Sequence, residues 1–205
     1  MRWARPTRSK TMQTTRLAPS VQRTVPGDLA MWFFILAELA VFGVFFAIYG
    51  VVRARQPALF AAGQHALALT PAILNTLLLI AGSGAVAAAV QNFAHGRVRR
   101  GERWLLGTLL CGSCFLLLKG SEFVGKFSAG ITLSSNDFWM FYLSLAGFHY
   151  LHVVLGMVII AAVYRRARQG NYDAANHVGV ETAAAYWHMV DLVWLVLFAL
   201  LYVAH

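Results

Sequence analysis

Charge is what this chain has least of. Of 205 residues, 12% are charged and 8 are acidic, whereas soluble domains carry roughly 25% charged residues. Such a composition cannot cover a water-exposed surface. Cysteine is scarcer still: Cys111 and Cys114 form one C-x-x-C, with no second pair to complete a zinc or iron–sulfur set and no disulfide framework. Both read as buried small hydrophobes. G-x-S-x-G, a P-loop and H-E-x-x-H are all lacking, as is a repeat of solenoid period, which excludes the common hydrolase, nucleotide-binding and repeat-scaffold readings.

Apolar residues make up 59% of the chain and gather into five runs, at about 29–52, 71–94, 104–125, 138–164 and 183–204. A helix needs about 20 residues to cross the hydrocarbon core, and backbone in lipid must satisfy its own hydrogen bonds. The runs therefore predict an all-α membrane protein, a five-transmembrane-helix bundle. It forms one domain over 28–205, after a basic, flexible segment at 1–27. Asp28, following Pro26-Gly27, is placed to cap the first helix. That helix is too long for a signal-peptide core and reads as a retained anchor.

The formal charge of +9 does not point to nucleic acid, because the basic residues lie in the membrane flanks. Thirteen Lys and Arg fall on one side of the five runs and three on the other, with Lys119 inside a run. The positive-inside rule then puts the N-terminus in the cytoplasm and the C-terminus in the periplasm.

Ionisable groups inside a membrane are costly and face a bundle interior, so each is a functional candidate. The first helix has Glu38, the second Asn75 and Thr76 near its outer end, and the third Lys119 and Glu122. His149 and His152 stand in GFHYLHVVLG, and His188 and Asp191 in YWHMVDLVWL, with Glu181 just before them. At ~1.5 Å per residue, Glu38 and His149 lie ~14 Å from the cytoplasmic face and Asp191 ~12 Å. His152 and His188 lie ~9 and ~8 Å from it. Two polar layers follow, and with them an interhelical hydrogen-bond network joining Glu38, His149, His152, His188 and Asp191. The same residue types suit a metal or haem site or a proton path, and the residues alone leave all three readings open.

Lys119 and Glu122, one turn apart, read as an ion pair near the outer interface, with Lys119 in snorkelling range. Trp32, Trp139, Trp187 and Trp194 could stack on a cofactor; Trp32 and Trp139 also sit where aromatic belts form, and Trp194 is deep enough to pack on a neighbouring helix. Small residues from Ala81 to Ala89, and Gly147 and Gly156 beside the histidine pair, offer surfaces for close helix approach or for a partner subunit.

These motifs resemble subunit III of the haem-copper cytochrome c oxidases. GFHYLHVVLG is similar to the family's Gly-Phe-His-x-x-His segment. The run VETAAAYWHMVDLVWLVLFALLYV is similar to its Glu-then-Trp-His-x-x-Asp-x-x-Trp helix, with Glu181, Trp187, His188, Asp191 and Trp194 in the matching places. Glu38 falls at a family carboxylate, Asn75-Thr76 at an Asn-Thr pair, and Glu122 in KGSEF at a Ser-Glu-aromatic segment. The family has seven helices and this chain matches the last five, so one wall of the family's lipid-holding cleft is missing. Lys119 stands where the mitochondrial pattern has Gln. The five-helix form and PGDLAMWFFILAEL most resemble NorE, the subunit III homologue associated with bacterial nitric-oxide reductase, which links the chain to denitrification.

The resemblance implies a non-catalytic subunit of a respiratory electron-transport complex in the bacterial cytoplasmic (inner) membrane, docked on a haem-copper catalytic subunit and assisting its proton supply. It implies no metal or haem, and phospholipids as the bound molecules. Two rivals are an independent membrane redox protein, with haem or a di-metal centre in the His/Asp/Glu cluster, and a proton or small-solute conductor. No inverted repeat of the transporter kind supports the latter.

Overall fold

The computed structural model describes residues 29–204; the basic N-terminal segment and the Asp28 cap lie outside them. Six α-helices follow one another: α1 (Leu29–Arg55), α2 (Pro57–His65), α3 (Leu69–Ala94), α4 (Val98–Ser128), α5 (Asp137–Arg168) and α6 (Val178–Phe198). A π-helical turn, Ala199–Val203, ends the last. α1, α3, α4, α5 and α6 with its π turn are long and apolar enough to cross a membrane.

α2 is a short extra element that the apolar runs do not announce. Its nine residues reach ~14 Å at the helical rise, too little to span. Gln56 leaves helical geometry, and Pro57 opens α2 at a first-turn position where its missing N–H costs nothing. Helix ends elsewhere have local causes as well. Gly96, Gly130 and Gly170 adopt positive φ after α3, α4 and α5. In each case the next amide reaches back, as in Arg97 N to Asn92 O at 2.8 Å, which closes a Schellman motif. Asn136 caps α5 by accepting from Trp139 N at 2.9 Å.

The bundle is tightest where side chains are smallest. Thr108 Oγ1 of α4 donates to Gly82 O of α3 at 3.3 Å, an approach that bulky residues would prevent. Trp187 of α6 lies buried among three glycines: Gly82 on α3, Gly112 on α4 and Gly156 on α5. Gly147, expected to mark a close approach, has open space beside it. α1 is peripheral. It buries Ile35, Phe42 and Tyr49, spaced seven apart along one stripe, and leaves Phe33, Leu36, Val41, Val44 and Ile48 exposed.

Candidate functional site

Glu38 and His152 form the polar contact between α1 and α5. Glu38 Oε2 lies 2.9 Å from His152 Nε2. His152 Nδ1 lies 2.7 Å from the carbonyl of Phe148. A carbonyl can only accept, so Nδ1 carries a hydrogen, and the contact with Glu38 holds one proton more. The pair is either carboxylic acid with imidazole or carboxylate with imidazolium, and it is neutral overall in both forms. The edge of the Phe42 ring closes on the imidazole at 5.3 Å. Tyr186 OH of α6 donates to His152 O at 3.2 Å. The side chains of Glu38 and His152 keep 23% and 16% exposure. They border a concavity of about 270 Å³ between α1 and α5, with Phe45 and Phe148 on its walls.

The expected five-residue network is divided rather than joined. His149, one turn from His152, is fully buried and turns inward. There it packs on Trp194 at 5.1 Å and Phe115 at 5.8 Å. Neither of its ring nitrogens has a hydrogen-bond partner among the described residues. On α6, His188 Nδ1 faces α3, 3.2 Å from Ser83 Oγ, and Asp191 is buried with Oδ1 unpartnered among the described residues. His188 and Asp191 therefore do not clamp helices around Glu38, and His152 alone meets it. The cause is helical geometry: three residues advance 300°, which leaves the pair ~60° apart about the axis. That offset is enough to send two neighbours to different helices. Among the described residues no three His, Cys, Asp or Glu side chains converge in a metal-holding group.

Lys119 corrects another expectation. It does not snorkel; its side chain is 1% exposed. All three ammonium hydrogens are used, by Glu122 Oε2 at 3.0 Å, Tyr142 OH at 3.0 Å and Tyr202 OH at 2.9 Å. Tyr142 OH in turn donates to Glu122 Oε1, and the rings of Phe123, Tyr142, Trp194 and Tyr202 surround the cation. A buried charge is tolerated on these terms, paired and with every donor satisfied. The cage links α4, α5 and the π turn.

The other motif residues are structural links. Trp194 Nε1 donates to Thr76 Oγ1 at 2.9 Å. Asn75 is buried beside it in sequence, its amide unpartnered among the described residues. Glu181 Oε1 lies 3.3 Å from His177 Nε2 in the first turn of α6, where the helix dipole favours an acid. Cys111 and Cys114 are free and half-buried. Tyr142, Tyr186, Tyr202 and Ser83 were missed by the sequence reading. Tyrosines in apolar runs read as belt or core, and their hydroxyls become informative once a buried cation or carbonyl is placed opposite.

A helical bundle with five membrane-length spans, a charge-neutral polar pair on its flank and an ion pair built around a buried lysine defines a class: a polytopic membrane protein. The comparisons name the family. The cytochrome c oxidase subunit III model matches residues 1–204. The chain is 35% identical to cytochrome c oxidase subunit 3 of Synechocystis sp. over 208 residues, covering 93% of this chain and 87% of that one. It is 33% identical to the subunit 3 of Thermostichus vulcanus, covering 85% and 86%, and 32% identical to that of Equus caballus, covering 84% and 67%. The chain belongs to the cytochrome c oxidase subunit III family.

Proposed function

We propose that this protein is the non-catalytic subunit III of a haem-copper oxidase-type respiratory complex in the bacterial cytoplasmic membrane. It lies with its N-terminus in the cytoplasm and docks on a haem-bearing catalytic subunit. The observation that carries the reading is the family match along nearly the whole chain. Orientation rests on the asymmetry of basic flanks, and an inner-membrane location on the bacterial relatives. The Glu38–His152 pair is the functional centre of this reading. A proton can shift between Glu38 and His152 without changing the pair's net charge, so the low-dielectric surroundings impose little penalty on that shift. No redox centre of its own is assigned. Both ring nitrogens of His152 are engaged, and His149 faces aromatic rings on α4 and α6.

The narrower reading, the nitric-oxide reductase-associated form, rests on five spans and the PGDLAMWFFILAEL segment. The partner decides it. Purification of the tagged chain from its own membranes in mild detergent should bring down a haem-bearing catalytic subunit. Oxygen or nitric-oxide reduction by that complex assigns the acceptor. Recovery of the intact chain with no haem subunit, or a stoichiometric Soret band from the chain alone, overturns the proposal. Glu38→Gln should assemble normally yet lose turnover over successive cycles; unchanged turnover removes Glu38 from the functional role.

A further inference from the structure

Three arginines from two helices meet at one rim of the bundle. Arg99 and Arg103 stand one turn apart near the start of α4, and Arg168 ends α5. Two adjoining concavities, of about 330 and 220 Å³, share Arg99, Glu102 and Arg168 in their walls; Arg103, Leu106 and Tyr164 line the second. Three arginines thus line the notch with one glutamate. Among the described residues none of the three arginines forms an ion pair. Arg168 Nη1 donates to Tyr164 OH at 3.4 Å, a contact that neutralises nothing.

Membrane topology asks for basic residues on this side of the bundle, but not for a common concave wall. Arg97, Arg100, Arg165 and Arg166 satisfy topology on the same flanks and line neither concavity. Convergent like charges repel unless an anion lies between them, and guanidinium forks match phosphate oxygens. Beyond the arginines the same α4 surface turns apolar: Leu106, Leu110 and Leu117 are 52%, 67% and 74% exposed. Phosphate recognition at the rim, followed by leucines running toward the membrane centre, fits an amphiphile better than a free anion. Basic pockets between transmembrane helices on the cytoplasmic side hold lipid headgroups in this way.

We propose that the α4–α5 notch binds the phosphate of an anionic phospholipid. Arg99, Arg103 and Arg168 donate to it, and the acyl chains lie along Leu106 and Leu110. The proposal rests on the five-span architecture and is independent of the oxidase-subunit reading.

Native mass spectrometry of the full-length protein in mild detergent tests it, with phosphatidylglycerol or phosphatidylcholine of matched chains added stepwise. The wild type should retain phosphatidylglycerol about a hundredfold better than phosphatidylcholine, from roughly a fivefold contribution per arginine. Arg99→Gln/Arg103→Gln/Arg168→Gln should abolish that preference. Arg97→Gln/Arg100→Gln/Arg166→Gln, which removes equal charge from the same side, should keep it. Arg103→Gln alone, checked for native helicity by circular dichroism, should weaken the preference severalfold and stands in if the triple variant misfolds. Equal retention of both lipids, or equal losses in the two triple variants, overturns the proposal. So does complete displacement of phosphatidylglycerol by excess inorganic phosphate, which would make the notch a free-phosphate site. The detergent pull-down of a haem subunit is unaffected by any of these outcomes.

Discussion

A Cβ placed on Gly112 of α4 would stand 2.8 Å from the indole of Trp187 on α6, and 2.3 Å from Met157 Sδ. The methionine can swing away; the indole, walled in by Gly82 and Gly156, cannot. Gly112→Ala should therefore lower stability by about 1–3 kcal/mol, the usual cost of overpacking. Gly84→Ala, in open space, should leave stability unchanged or raise it by up to ~1 kcal/mol through helix propensity. Thermal unfolding in one detergent compares them. Identical midpoints would mean that the three-glycine nest is not what seats α6.

Lys119 has every donor occupied, so removing it leaves more behind than it takes away. In Lys119→Met, Glu122 keeps its charge in a half-buried setting and Tyr202 loses the ammonium donor 2.9 Å away. The expected loss is about 3–5 kcal/mol, as for a broken buried pair. Lys119→Met/Glu122→Gln removes both charges and should recover most of it. A double variant no more stable than Lys119→Met, measured by unfolding of the purified protein, would show that packing rather than charge pairing governs the cage.

Five spans were legible because a helix crossing lipid needs a long apolar run, and a continuous run of that length satisfies its own backbone there as a helix. Their limits were less so. α4 starts at Val98, six residues before the apolar run at 104, because VRRGER is helical yet polar, and hydropathy is blind to helix that leaves the membrane. α2 was invisible at nine residues, although Pro57 marks its first turn. Within the site, Glu38, His152, Lys119 and Glu122 were found as costly groups in lipid. Their partners were not all found, since equal depth does not fix azimuth. His149 and His152 share a turn and still diverge, one to Trp194 and the other to Glu38.

Trp194 and Thr76 test a link between α6 and α3 that carries no charge. Trp194→Phe keeps most of the ring area against Phe115 and His149 but removes the Nε1 hydrogen bond to Thr76 Oγ1. Thr76 already donates to Ala72 O at 2.9 Å, so its hydroxyl loses an incoming donor and keeps its own. A cost of about 1 kcal/mol for the bond, plus part of the lost ring volume, is expected. Thr76→Val should cost a similar amount, and the double variant less than the sum of the two. Strict additivity in equilibrium unfolding would deny the coupling.

The π turn at the end of α6 is held from outside by α2, which gives that short helix its purpose. Gln64 Nε2 spends both its hydrogens there, on Leu200 O at 3.0 Å and Ala204 O at 2.8 Å. Tyr49 OH adds a third bond, to Leu200 O at 3.2 Å. Terminal carbonyls of a helix have no intrahelical donor, and each left unmet when buried costs about 1–3 kcal/mol. Gln64→Leu removes the donors. Gln64→Glu also turns a carboxylate oxygen toward two carbonyls, which adds repulsion. Hydrogen exchange in a C-terminal peptide spanning the turn should therefore quicken in the order wild type, Leu, Glu. About tenfold per 1.4 kcal/mol is expected where exchange follows local opening. Unaltered exchange in the Gln64→Glu protein would assign the turn to the packing of buried Leu201 and Tyr202 and to the Lys119 cage, and would leave α2 without that role.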